Sequence, residues 1–197
     1  MRCCPLPADE KAVHRFVEAL WLPYHRELDA VVERHALADD VDVVAREVEY
    51  RVDRLEGSEH RAWVAVADPR AEEDGDPATG AGDPTVDDAP LAAGGPGRLA
   101  GFVTTDLDEA PTVFDRPDRV VLGDLYVRER YRGTGLARAL VDRAVARASA
   151  ADCGELALDV DVDNDRAIAF YESLGFEPHR QRMTVGVEDV ETAGGPA

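Results

Sequence analysis

The stretch VVLGDLYVRERYRGTGLARAL, residues 120–140, decides the fold. Its first part, residues 120–127, is mostly apolar, which is typical of a buried strand. A turn from Arg130 to Gly135 follows, and apolar residues recur at helical spacing from about Thr134 onward. The two glycines of the turn are therefore predicted to lie where a strand passes into a helix.

This junction is suited to binding a phosphate. The amides at a helix N-terminus have no intrahelical acceptor, and the helix dipole places positive charge behind them. Gly133 and Gly135 carry no side chain that would keep an anion from the backbone, and they accept positive φ where a turn needs it. Residues 128–147 also contain six arginines and two acids, in a chain of net charge −19. The arginines are Arg128, Arg130, Arg132, Arg138, Arg143 and Arg147.

Two nucleotide-binding motifs are excluded at this turn. The P-loop requires a lysine directly after its last glycine, and no lysine follows here. The dinucleotide-binding fingerprint requires a small residue three positions after the second glycine, where this chain has Arg138.

The turn instead resembles the Arg/Gln-x-x-Gly-x-Gly/Ala loop of the GCN5-related N-acetyltransferases, the GNAT superfamily. A second stretch downstream is similar to the family pattern Asn-x-x-Ala-x-x-Phe/Leu-Tyr-x-x-x-Gly-Phe. The matching residues are Asn164, Ala167, Phe170, Tyr171, Gly175 and Phe176. The resemblance implies an α/β (α+β) fold, in which helices flank a mixed, mostly antiparallel central sheet with splayed parallel central strands.

The resemblance also implies acetyl-CoA as the co-substrate. The backbone of Leu125 and Val127 would pair with the pantetheine amides, as though the cofactor were an extra strand between two that splay apart. Asn164 is expected either to contact the pantetheine or to cap the following helix, and both remain open. The turn that would hold the pyrophosphate comprises Arg130, Tyr131, Arg132, Gly133, Thr134 and Gly135.

Acetyl transfer from a thioester to an amine needs a neutral amine, a stabilised oxyanion and a proton for the departing thiolate. The resemblance places Tyr171 beside the thioester as the proton donor, whereas its helical stripe alone is equally that of a core aromatic. Asp159 and Asp124 are rival candidates for the base, acting directly or through a water, and each is also compatible with a solvated strand residue. An amine that loses its proton to solvent needs neither carboxylate.

The expected function is therefore N-acetyl transfer, directly from acetyl-CoA to a primary amine of a small molecule or peptide. The spacing of Asp159, Asn164 and Tyr171 favours a peptide α-amine, but the last predicted strand lacks an aromatic-rich ending, so both acceptor classes stay open. The alternative is a non-catalytic acyl-CoA-binding sensor or interaction module. A homodimer is an assembly that the sequence leaves open.

The acidity of the chain indicates its surroundings. Forty-one acids against 22 bases, spread along the chain, favour a halophilic cytoplasm and exclude the broad basic face that a nucleic-acid partner would need. No apolar run is long enough to span a bilayer, and the polar N-terminus predicts no signal peptide, so a cytoplasmic protein without a membrane partner is expected. The three cysteines and five histidines show no metal-ligand spacing, and the histidines are interpreted as surface or pocket-edge residues.

The chain is predicted to form a single domain over residues 1–190, followed by a disordered tail at 191–197. Residues 68–97 are acidic and rich in glycine and proline, which predicts a flexible insertion. Helices are predicted at 8–20, 25–37, 40–55, from about 134 and at 164–174, and strands at 1–4, 61–67, 98–105, 120–127, 155–162 and 182–187.

Single residues carry further expectations. Pro23 is predicted to end or kink the first helix, and Asp39 or Asp40 to cap the third. Phe114, in a loop at 106–118, would fill the core or line the acceptor pocket, and Val145 would face inward. Trp21, Tyr24 and His25 follow the first helix, where the resemblance places walls of the acceptor site.

Overall fold

The computed structural model describes residues 1–32, 35–67, 85–86, 89–95 and 97–190. Contacts group the chain into two compact units, Met1–Asp161 and Val162–Ala197. The single domain over 1–190 stays a prediction, and the tail at 191–197 lies outside the described residues. Within the described part of the chain, no helix is long and apolar enough to cross a membrane.

The first unit is built on a six-stranded sheet of order β3-β1-β2-β4-β5-β6. The strands are β1 (Arg2–Pro5), β2 (His60–Ala67), β3 (Thr85–Val86), β4 (Arg98–Asp108), β5 (Arg119–Val127) and β6 (Glu155–Leu158). β1–β2, β2–β4 and β4–β5 pair antiparallel, whereas β1–β3 and β5–β6 pair parallel. The predicted mixed, mostly antiparallel sheet is confirmed.

Five α-helices accompany the sheet in the described part of the chain. They are α1 (Glu10–Phe16), α2 (Leu22–Asp29), α3 (Val43–Glu56) and α4 (Leu136–Ala150) in the first unit, and α5 (Asp165–Ser173) in the second. A π-helical segment, Val17–Trp21, joins α1 to α2.

The first helix does not end at Pro23. The proline lies in the first turn of α2, where the missing amide hydrogen costs little, and the π-helical segment before it takes up the irregularity. α2 then ends at Asp29, so the helix predicted at 25–37 was wrong in both limits. α3 is capped by Asp42, whose Oδ1 accepts from the Ala45 amide at 3.0 Å, and not by the acids predicted for that role.

The core lies on both faces of the sheet. Phe102 of β4 meets Phe16 of α1 edge to face, with ring centroids 4.9 Å apart, and both are fully buried. Thr105 lies three residues after Phe102 on the same strand and accepts a hydrogen bond from Arg147 of α4. Because successive strand residues face opposite sides, α1 and α4 cover opposite faces.

Some expectations for single residues and segments were wrong. Phe114 is exposed and fills no core, and Val145 is also exposed on α4. Residues 182–187 form no strand, although Met183 and Val185 belong to an alternating apolar pattern. An alternating apolar pattern is compatible with a strand, but a strand forms only where a neighbouring strand pairs with it.

Two boundaries and one segment also differ. β4 continues to Asp108, so the loop predicted from residue 106 begins later, and β6 ends at Leu158, well before residue 162. Most of residues 68–97 lies outside the described residues. Its described part includes β3, which pairs with β1, and Leu91, which is buried and donates its amide to the Pro5 carbonyl.

Candidate active site

The glycine turn joins β5 to α4 as predicted. Gly133 and Gly135 have φ of 77° and 86°, in the left-handed region that favours glycine. A Cβ on either would meet no heavy atom within 4 Å, so backbone conformation, not crowding, requires the glycines. The first intrahelical bond of α4 runs from the Ala139 amide to the Gly135 carbonyl at 3.1 Å. The amides of residues 136–138 precede that bond and are available to an anion.

The cations of the turn are held by neighbouring groups. Arg132 donates from Nε to the Val127 carbonyl at 3.0 Å, and its Nη2 forms an ion pair with Glu27 of α2. The Arg130 guanidinium lies 4.8 Å from the centroid of the Tyr131 ring. Tyr131 itself is buried, and its carbonyl accepts from the Thr134 hydroxyl, so this residue shapes the turn.

A β-bulge interrupts the pairing of β5 with β4. Leu125 pairs with Val103 and Leu122 with Thr105, so three steps along β5 match two along β4. The extra residue bends the strand, and the Asp124 amide donates to the Thr104 hydroxyl at 2.7 Å instead of to a ladder carbonyl. β6 pairs with β5 only as far as Leu122. β6 itself ends at Leu158, the partner of Leu122, so β5 extends past the end of β6 by the residues up to Val127.

The part of β5 beyond the bulge directs backbone groups toward the open side. The Arg128 amide donates to the Ala100 carbonyl at 2.9 Å, on the β4 side. Because backbone groups alternate along a strand, Leu125 and Val127 point the other way, past the end of β6. The Val127 carbonyl accepts from Arg132, and the remaining groups of this edge can pair with an extended ligand.

The carboxyl of Asp124 lies beside a buried cation. Nη2 of Arg51 is 3.7 Å from Asp124 Oδ2, and the Arg51 side chain is 5% exposed. Burial raises the pKa of Asp124, and the Arg51 charge opposes that rise. A carboxyl with a raised pKa on the central strand is a chemically suitable proton acceptor.

Arg51 is the centre of a polar network that the sequence analysis missed. Its Nε and Nη2 both donate to Glu47 Oε1, at 2.8 and 2.5 Å, and its Nη1 lies 3.2 Å from His60 Nε2. Since arginine only donates, His60 Nε2 accepts, which leaves the Nδ1 proton to bond Asp106 at 2.9 Å. The signal in the sequence was an i,i+4 pair of opposite charges next to an apolar stripe on α3.

Two histidines also lie inside and not at the surface or a pocket edge as predicted. His25 and His60 are both buried. His25 Nδ1 is hydrogen-bonded to His35 Nε2 at 2.7 Å, and the two rings stack with centroids 4.9 Å apart. Burial lowers the pKa of His25 to about 4, helped by the charges of His35 and Arg51. Trp21, predicted to line the acceptor site, is buried against His25 with ring centroids 4.1 Å apart.

The remaining predicted site residues divide between the units. Asp159 is exposed just after β6, in the first unit. In the second unit, Asn164 caps α5, since its Oδ1 accepts from the Ala167 amide at 3.2 Å. Tyr171 packs on Phe170 and Phe176, with ring centroids 5.3 and 5.6 Å away. Among the residues described in either unit, no group of three or more His, Cys, Asp or Glu is placed to hold a metal ion.

Comparison with known proteins gives matches at the level of family and fold. Residues 45–176 match the model of the Acetyltransferase (GNAT) family. The chain is 38% identical over 58 residues to N-alpha-acetyltransferase 30 of Saccharomyces cerevisiae, which covers 29% of this chain and 33% of that protein. It is 39% identical over 85 residues to the mycothiol acetyltransferase of Kocuria rhizophila, covering 42% and 26%. The chain thus spans a third or less of these relatives.

A solved structure extends the likeness over almost the whole chain. A tetramutant of the BH1408 protein of Bacillus halodurans superposes with a TM-score of 0.66 at 19% identity, covering 95% of this chain and all of that one. At this identity the match concerns the fold.

Proposed function

Because the chain belongs to the GNAT acetyltransferase family, we propose that it transfers the acetyl group of acetyl-CoA directly to a primary amine, giving an amide and free CoA. The observation that carries this proposal is the open edge of β5 beyond the bulge, next to the amides that begin α4. An extended chain ending in a pyrophosphate fits that combination, because the edge offers a ladder and the helix N-terminus offers an anion site.

Named residues would hold acetyl-CoA. Leu125 and Val127 would pair with the pantetheine through backbone groups, with the Val127 carbonyl first giving up its bond to Arg132. The turn from Arg130 to Gly135 would bind the pyrophosphate. Asn164 already has a structural role as the cap of α5, and a second role at the pantetheine belongs to the proposal.

The chemistry needs a proton acceptor and a proton donor. As the amine nitrogen bonds to the acetyl carbon and the carbon–sulfur bond breaks, the amine proton passes to a base and the thiolate takes a proton from an acid. Asp124 is favoured as the base over Asp159, because burial raises its pKa while Asp159 is exposed. We assign the acid role to Tyr171, following the family pattern that surrounds it.

Two acceptor classes follow from the relatives. One is named as an N-alpha-acetyltransferase and the other as a mycothiol acetyltransferase. We therefore propose that the acceptor is a primary amine from one of these two classes, and a screen should contain both.

The first test is acetyl-CoA binding by calorimetry in molar KCl and in dilute buffer. Binding should occur, and screening of peptide and small-molecule amines for CoA release should then identify an acceptor. A folded protein that binds no acetyl-CoA in either buffer contradicts the proposal.

Replacing Tyr171 separates catalysis from mere binding. Tyr171→Phe should lower acceptor-dependent turnover by about 10²-fold or more, since general acid–base groups contribute roughly that much, with acetyl-CoA affinity unchanged. Tyr50→Phe is the matched control, because Tyr50 is half exposed on α3 and its hydroxyl accepts a hydrogen bond from Arg54. Unchanged turnover in Tyr171→Phe would contradict the acid role assigned to Tyr171. A wild-type protein that binds acetyl-CoA but turns over no amine would favour the non-catalytic acyl-CoA-binding module instead.

A further inference from the structure

One buried cation in the first unit faces two carboxylates. Arg51 of α3 lies between Glu47, one helical turn earlier, and Asp124 at the bulge of β5. The Glu47 side chain is 11% exposed and that of Arg51 5%, so little water screens this pair, whereas the Asp124 side chain is 26% exposed. The pKa of each carboxyl therefore depends on how closely Arg51 approaches it.

The geometry divides Arg51 unequally. Two of its nitrogens donate to Glu47 Oε1 at 2.5 and 2.8 Å, which is the distance of a charge-assisted hydrogen bond. Asp124 Oδ2 lies 3.7 Å from the nearest of these nitrogens, beyond ordinary hydrogen-bond length. Glu47 is thus the main counter-ion of Arg51, and Asp124 interacts with the Arg51 charge more weakly.

We propose that Glu47 is a positioning residue for acetyl transfer, which holds Arg51 to itself and so leaves the Asp124 carboxylate basic enough to accept the proton of the amine. This inference rests on the proposed role of Asp124 as the base. It assigns a function to Glu47, whose shortest hydrogen bonds are to Arg51 and not to a group of the proposed cofactor site.

The other charged groups around Asp124 are consistent with this role. Glu47 and Arg51 face it from α3, His60 from β2, and His35 from the segment after α2. His60 is committed to Asp106 and His35 to His25 by hydrogen bonds. Arg51 is therefore the permanent cation nearest Asp124 in this cluster, and burial raises the pKa of Asp124 against it.

The experiment measures the ionisation of Asp124 in the full-length protein. The carboxyl carbon of Asp124 is titrated by ¹³C NMR in wild type and in Glu47→Gln, with Asp124→Asn used to identify its signal. Glu47→Gln keeps the hydrogen-bond acceptor but removes the charge. The Asp124 pKa should fall by about one pH unit, since a close unneutralised cation typically lowers a carboxyl pKa by 1–3 units.

Glu49→Gln is the matched control. Glu49 lies on the same helix and pairs with Arg46, but both side chains are 76% exposed. Its removal subtracts the same charge from the same helix and should leave the Asp124 titration in place. An Asp124 pKa that is the same in Glu47→Gln as in Glu49→Gln overturns the inference.

The acidic limb of the kcat/KM profile tests the function separately, with one acceptor used throughout. In Glu47→Gln this limb should move to lower pH together with the titration. If the Asp124 pKa shifts but the acidic limb of the kcat/KM profile does not, Asp124 is not the base. That result would contradict its proposed catalytic role and still support its electrostatic coupling to Glu47.

A second variant covers the case in which Glu47→Gln does not fold because Arg51 is left buried without a counter-charge. Glu47→Gln/Arg51→Gln removes both charges, so the Arg51 charge no longer opposes the effect of burial on the Asp124 pKa. The Asp124 pKa should then rise above that of wild type, and a fall or no change would contradict the proposal.

Discussion

Gly135 shows how one backbone angle prepares an anion site. Its positive φ turns the chain from β5 into α4 and leaves the first helical amides pointing outward. The space around the residue is open, so a side chain there would meet no neighbouring atom. It would be unfavourable because of the positive φ and because it would occupy space that a bound ligand needs.

The first prediction compares two substitutions of Gly135. Gly135→Ala should cost about 1–2 kcal/mol of stability, because the left-handed conformation is less favourable for alanine than for glycine. Gly135→Glu should cost a similar amount but also abolish acetyl-CoA binding, since its carboxylate would occupy and repel the pyrophosphate site. Calorimetry compares the two variants, and equal acetyl-CoA affinity in both would show that the phosphates bind elsewhere.

His25 makes stability depend on pH. Its pKa is about 4 in the folded chain and near 6.5 when unfolded, so between these values the unfolded chain binds a proton that the folded chain does not. Stability is therefore lost as the pH falls through this window.

The second prediction measures that loss. Wild type should lose stability between pH 6.5 and 4 more steeply than His25→Gln, by up to about 1.4 kcal/mol per pH unit. Urea unfolding across the window provides the measurement. His14→Gln, at a half-exposed histidine paired with Glu18, should keep the wild-type slope, and an equal slope in His25→Gln would contradict a neutral buried imidazole.

At the scale of elements, α2 is tied to the phosphate turn. Glu27 of α2 accepts from the Tyr126 hydroxyl at 2.6 Å and forms an ion pair with Arg132 of the turn. Burial and this hydrogen bond raise the pKa of Tyr126. A bound pyrophosphate would compete with Glu27 for Arg132, so the helix and the turn are expected to respond to one another.

The third prediction removes that competition. Glu27→Gln should raise acetyl-CoA affinity by up to about fivefold, because partly exposed ion pairs are worth at most about 1 kcal/mol. Glu18→Gln, at an exposed acid in the π-helical segment before α2, removes the same charge without touching Arg132 and serves as the control. Calorimetry measures both, and equal gains in the two variants would reflect net charge alone.

The fourth prediction separates the two roles of Asn164. Asn164→Ala removes the cap of α5 and should cost about 1 kcal/mol of stability, while Asn164→Ser keeps a capping oxygen and should cost less. If Asn164 also contacts pantetheine, both variants should lose acetyl-CoA affinity. Full affinity in Asn164→Ser would leave capping as the sole role of this residue.

At the scale of the whole molecule, net charge dominates. A charge of −19 on 197 residues produces self-repulsion that opposes the compact state. Dissolved ions screen this repulsion, with a Debye length of about 3 Å at 1 M. Stability in salt therefore tests the proposed adaptation to a salty medium.

The fifth prediction is a higher Tm in molar KCl than in dilute buffer. The rise should reach several degrees, since 1 kcal/mol corresponds to roughly 2–4 °C in a chain of this size. Sucrose, which stabilises by exclusion without screening charge, is the control. A Tm that rises equally with sucrose at matched osmolality, or falls with KCl, would contradict the electrostatic interpretation.

The sequence by itself determined the strand–turn–helix unit that contains Gly133 and Gly135, and the family pattern around it. These features are local: an apolar run, two glycines at positive φ and a helical repeat act within a few residues of one another. Capping by Asn164 was one of the two roles that the sequence left open, and it too is local, because a capping side chain bonds an amide three residues away.

Only the tertiary structure decided the surroundings of Asp124. The bulge depends on pairing between β5 and β4, and the Glu47–Arg51 pair reaches Asp124 because α3 packs over that face of the sheet. The burial of His25 and His60 and the exposure of Phe114 were likewise undecided by local pattern. Residues distant in the chain set burial and charge sharing, and a single sequence does not state which of them meet.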